Sequence, residues 1–188
     1  LSGKERGLDT IDAEAIKNVI ISELVKNVVE HSGVEKAIIG IVLQPSKILK
    51  PQYYPSCEES YFEWSNTANA NYISIFFGDS GRGVIRTLSE AFTQSKPGFH
   101  NNYDILRWSF DKWSTCKTQE QIRGTKGLYR IHRIINKYNG LITVRTGDML
   151  GGYQKGGKSE STWINHKNST KADKRSYFPG TLLRMQFS

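Results

Sequence analysis

Cysteine is scarce in this sequence: Cys57 and Cys116 are the only two among 188 residues. Their spacing fits neither a metal-binding pattern nor a disulfide framework, so reduced thiols in a cytoplasmic protein are expected. No apolar run is long enough to cross a bilayer, and no membrane partner is expected. Residues 1–8 are polar and lack the apolar stretch of a signal peptide. No segment recurs at a fixed period. Acidic side chains are the minority, with 18 Asp and Glu against 26 Lys and Arg, a net charge of +8. That excess favours anionic partners such as nucleotides, nucleic acid or acidic proteins, without choosing among them. Many of the basic residues fall between Lys155 and Arg175, where a solvated loop is the simpler reading. The chain opens on Leu1 rather than Met and is expected to be part of a larger protein.

What is present is the composition of a globular domain. Hydrophobic residues make up 37% and aromatics 11%, enough for one domain over 1–188 with its own core. Ile16, Ile20, Leu24 and Val28 recur every four residues with Ile21 and Val25 beside them, which predicts a helix over 11–31. Asp9, Thr10 or Asp12 would cap its start, and Gly33 follows its end. Strands are predicted at 37–43, 72–77, 141–145 and 181–187, and short helices at 84–92 and 102–113. A strongly amphipathic helix is predicted at 127–138, with Asn139 and Gly140 turning into the next strand. Polar stretches at 44–71 and 147–178 read as long loops, although structureless connections of that length are uncommon in compact domains. Helices and strands mix without strict alternation. The expected class is α+β: a two-layer α/β sandwich with a mixed, mainly antiparallel sheet and helices on one face.

Four short patterns could carry chemistry. Glu23, Asn27 and His31 are four residues apart and would form a polar stripe on the first helix, either facing a metal-bound phosphate or lying on an exposed helix edge. Asp79-Ser80-Gly81-Arg82-Gly83 follows an apolar strand. A carboxylate there accepts hydrogen bonds only, so it can select an amine such as that of adenine, while the glycines permit close backbone approach. A calcium loop would need further carboxylates downstream, and none is there. Arg123-Gly124-Thr125-Lys126-Gly127-Leu128 precedes a helix whose backbone N–H groups could receive an anion. It lacks the spacing and the ending of a Walker loop. Pro179-Gly180-Thr181 enters the last strand.

In this order the four patterns resemble the boxes of the GHKL, or Bergerat-fold, ATPase superfamily of gyrase, heat-shock chaperones, histidine kinases and MutL. Glu23 to Asn27 resembles its Glu-x-x-x-Asn helix motif, and the form continued to His31 is close to that of the anti-sigma-factor kinases. Asp79, Gly81 and Gly83 match its Asp-x-Gly-x-Gly box. Gly127-Leu128 is similar to the end of its second glycine box, and Gly180-Thr181 to its last box. Trp113 to Lys117 resembles a lid segment of some branches. The likeness runs from about Asp12 to Phe187, with Arg123 and Thr125 standing where the family usually carries glycines.

The resemblance implies ATP and Mg²⁺ as cofactors and a Bergerat fold. Asn27 would coordinate the magnesium and Glu23 would act as general base. Asp79 would take the adenine amino group, with Thr181 joining through a water and Gly81 and Gly83 passing close to the base. Gly124, Thr125, Lys126, Gly127 and Leu128 would wrap the phosphates, and 84–126 would form a lid that couples nucleotide state to a protein partner or further domain. A nucleotide-dependent homodimer is open in such a family. So is transfer of the phosphate to another protein rather than to water, although no phosphoacceptor helix is evident around His100, His132 or His166. A non-catalytic nucleotide- or nucleic-acid-binding module, suggested by the basic charge, is the remaining alternative.

Overall fold

A computed structural model describes residues 10–34, 36–45, 71–98, 101–112, 114, 127–155, 162–165 and 177–187. The first helix, α1, spans Thr10–Asn27 and runs directly into a π-helical turn at Val28–Ser32. Strands β1 (Ala37–Pro45) and β2 (Asn71–Asp79) follow. Next come helices α2 (Val84–Ser95), α3 (Asn102–Trp108) and α4 (Gly127–Lys137). The chain ends with β3 (Leu141–Gly147), β4 (Met149–Gln154), β5 (Thr162–Asn165) and β6 (Phe178–Phe187).

The six strands form one sheet in the order β1-β2-β6-β3-β4-β5. Every described pairing is antiparallel, which corrects the expected mixed sheet. The last strand in sequence lies in the middle because its alternate residues are apolar and fully covered. Leu183, Met185 and Phe187 are buried between Ile75 and Phe77 of β2 and Ile142 and Val144 of β3. Against this face lie Ile16, Ile20, Leu24 and Val28 from the first helix and Ile131 and Ile135 from α4. The four-residue apolar repeat seen in the sequence is thus the seam of the helix layer. Alternation sends Ile38, Phe76 and Leu182 to the opposite face, where they remain exposed.

One further expectation needs correction. The segment 147–178 is not one loop, because it contains β4 and β5. Gly147, at φ 60°, and Asp148 turn the chain back on β3. The glycine pair of Met-Leu-Gly-Gly-Tyr-Gln hides the strand locally, so pairing with β3 decides its conformation rather than propensity. Of the other expected loop, Gln44 and Pro45 close β1 and Asn71 opens β2, while 46–70 lies outside the described residues. The expected lid, 84–126, begins as packed structure. Phe92 meets Trp108 edge-to-face at 5.2 Å and, with Ile105, makes a small second core, while Leu106 and Phe110 enter the main one. Of 113–126, only Ser114 is described; it is buried and donates to the carbonyls of Ser109 and Asp111.

Local signals explain the helix ends. Asn101 caps α3 by accepting from the N–H groups of Tyr103 and Asp104, and Asp104 answers by accepting from the N–H of Asn101, the two reciprocal bonds of a capping box. Gly33 closes the π turn at φ 72°, a left-handed conformation that suits glycine. The hydroxyl of Ser32 donates to the Val28 carbonyl at 2.7 Å and accepts from the Val34 N–H at 3.1 Å.

Candidate functional site

Asp79 is the last residue of β2, opposite Thr181 of β6 and Ala37 of β1 in register. Strand alternation turns it toward the helix layer, on the same face as Ile75 and Phe77, and it is only 8% exposed. Its Oδ1 accepts the Gly81 N–H at 2.8 Å, and the Thr181 backbone N–H also bonds it. Burial raises its pKa above the ordinary aspartate value, and those two N–H donors pull partly the other way. The result is a fixed, half-satisfied carboxylate at the end of an apolar strand.

The glycines after it are required by contacts. A Cβ on Gly81 would lie 2.4 Å from the Ser32 carbonyl oxygen, and the Arg82 N–H donates to that same oxygen at 2.9 Å. Gly83 has φ 73°, and a side chain there would also meet Thr146 Oγ1 at 2.5 Å. The Asp79 loop is therefore clamped between the end of the first helix and the ends of β3 and β6.

Glu23 and Asn27 approach from the other side. Glu23 is 4% exposed, which excludes the exposed-edge reading of this part of the helix. Its Oε1 accepts from Arg130 Nη1 of α4 in an ion pair. Gly127, the first residue of α4, sits on the same two side chains. A Cβ there would lie 3.0 Å from Glu23 Oε2 and 3.2 Å from both amide atoms of Asn27. His31 lies in the π turn that follows α1, with its Nε2 3.6 Å from a Glu30 carboxylate oxygen.

One continuous chain of contacts thus joins residues from all four sequence patterns. Gly127 touches Glu23 and Asn27. Asn27 precedes the π turn that ends at Ser32, Ser32 holds Gly81 and Arg82, and Asp79 bonds Gly81 and Thr181. Leu128 is half-buried and packs against the main core. Gly124, Thr125 and Lys126 lie outside the described residues. Sequence reasoning missed Arg130, Ser32 and Thr146. Arg130 was readable as the cation one turn after Gly127, whereas Thr146 becomes visible only through its register opposite Thr181.

The chemistry open to this arrangement is bounded. No group of three or more His, Cys, Asp or Glu among the described residues could hold a metal alone. A hard cation beside Asn27 would thus need oxygens from its own ligand, as magnesium does with phosphates. A cavity of about 610 Å³ opens on the other face of the sheet, lined by the apolar Ile38, Phe76, Leu150, Phe178 and Leu182, the basic Lys36, Arg145 and Arg184, and Asp79 and Ser80. Glu23 and Asn27 do not line that cavity, so the convergence of polar groups, not this hollow, marks the site. Burial lowers the pKa of His132, and its ring packs edge-on against Tyr153 at 4.4 Å. Comparison with protein-family models, curated proteins and solved structures finds no match.

Proposed function

We propose that this chain is an ATP-binding module of the Bergerat type that hydrolyses ATP with Mg²⁺ and couples nucleotide state to a protein partner or a further domain. One observation carries the reading. The start of α4 rests on Glu23 and Asn27 while the Asp79 turn is tied to the end of the same first helix, so an acid–amide pair and an acceptor-only carboxylate share one end of the sandwich. A purine amine would donate to Asp79, with the Thr181 hydroxyl beside it. The phosphates would lie toward α4, where helix N–H groups and dipole favour negative charge. Asn27 would hold magnesium, which would supply positive charge to the phosphates.

In the hydrolytic step, Glu23 removes a proton from water as its oxygen attacks the terminal phosphorus. The bond from that phosphorus to the bridging oxygen breaks, and ADP and inorganic phosphate leave. Titration calorimetry with ATP, with and without Mg²⁺, on wild type and Asp79→Asn tests the reading. Magnesium-enhanced binding that the variant loses is expected. Equal affinity in the two proteins, or no heat with either, sinks the assignment. Labelled phosphate released to solution is the expected product, and its appearance on a protein would assign phosphotransfer instead.

A further inference from the structure

Arg130 belongs to none of the four patterns, yet it forms an ion pair with Glu23. The two oxygens of that carboxylate have different neighbours. Oε1 is taken by Arg130, while Oε2 faces the first residue of α4, 3.0 Å from where a Gly127 Cβ would be. The Glu23 side chain is 5% exposed, but the Arg130 side chain is 49% exposed. The acid is therefore fixed in the interior, whereas its partner lies half in solvent, on a long side chain one turn from the start of its helix.

We propose that Arg130 is a positioning residue that exchanges between Glu23 and the terminal phosphate of a bound triphosphate. This inference rests on the ATP reading above. With a diphosphate, or with nothing bound, Arg130 stays on Oε1 and Glu23 is paired and oriented. A terminal phosphate at the head of α4 competes for the same guanidinium, whose planar fork of donors matches phosphate oxygens. Its departure leaves Oε1 free to accept a proton from water. The same movement gives the site a preference for ATP over ADP, and it confines base activity to the state in which there is a phosphate to attack. Only the guanidinium is half-exposed and free to leave; the buried Glu23 carboxylate then loses its charged partner, and the pairing of Arg130 with the phosphate must offset that cost. A fully buried ion pair would not release its partner so readily.

Calorimetry with ATP and ADP, together with steady-state hydrolysis, on wild type, Arg130→Ala and Arg130→Lys tests the exchange. Arg130→Ala is expected to bind ADP as wild type does, to bind ATP about ten-fold more weakly or worse, and to lose kcat as well as raise KM. Arg130→Lys, which keeps the charge without the fork, should recover the preference for ATP but only part of kcat. A purely structural Arg130 would instead lower Tm and weaken both nucleotides alike. Wild type binding both nucleotides, with an unchanged ATP-to-ADP ratio in Arg130→Ala, overturns the exchange and leaves the ATP site standing. If Arg130→Ala does not fold, a Lys variant with the ADP-like affinity for ATP also overturns it. Wild type binding neither nucleotide removes the ATP reading and this inference with it.

Discussion

On the helix-facing side of the sheet, the middle and one end are buried to nearly the same degree but built from different residues. In the middle, Ile20, Ile75, Ile131, Ile135 and Met185 are fully covered and wholly apolar. At the end, Glu23, Asp79, Thr146 and Thr181 are 8% exposed or less, and each is polar. Apolar burial stabilises a fold by roughly 25 cal/mol per Å², whereas buried carboxylates cost free energy unless paired. The middle therefore holds the domain together, and the end taxes it. The proposed nucleotide site lies at this costly end, where Gly81, Gly83 and Gly127 make close contacts.

That contrast can be broken by experiment. The largest effect belongs to the polar end: Glu23→Ala is expected to slow ATP hydrolysis by about 10²–10⁴-fold, while ATP affinity persists. Turnover at the wild-type rate would take Glu23 out of the mechanism. Next comes the apolar middle, where Ile131→Ala should lower stability in urea by about 2–5 kcal/mol with ATP affinity of the folded protein unchanged. A variant that loses nucleotide but not stability would show that the two regions are not separable.

Gly180→Ala sharpens the boundary between them. Its Cβ would fall 1.8 Å from the Asp79 carbonyl oxygen, and backbone rather than a flexible side chain must move. A loss of about 1–3 kcal/mol together with weakened nucleotide binding is expected. A folded variant with full affinity would mean that the Asp79 turn tolerates displacement.

The smallest effect is a gain. Burial raises the pKa of Asp79, so its contribution to stability is complete at low pH and is lost as pH rises through the folded-state value. Asn cannot ionise. Asp79→Asn should therefore have a Tm at or above that of wild type at neutral pH, with the difference closing as pH falls into the ordinary carboxylate range. A variant less stable than wild type at neutral pH, and level with it in acid, would contradict the sign.

Much of this contrast was legible in the sequence. The repeat Ile16, Ile20, Leu24, Val28 set the buried seam because helical periodicity is a local property, and Asp79 with its glycines stood out because it ends an apolar strand. What stayed hidden depends on contacts between distant segments. The strand Met149–Gln154 is enforced by its pairing with β3, since its glycines argue against it locally. The π turn at Val28–Ser32 keeps Val28 in the buried seam, so periodicity could not reveal it. Arg130 needed the packing of α4 on the first helix before its 107-residue separation from Glu23 could become a contact.

Amide chemical shifts of the labelled protein during titration with magnesium and ATP probe the central claim most directly. If the nucleotide binds where proposed, the largest changes fall on Gly81, Gly83, Gly127, Leu128 and Thr181, with Phe76, Leu150 and Leu182 across the sheet little affected. Changes centred on those three outer-face residues, or a spectrum that ATP leaves unaltered, would contradict it.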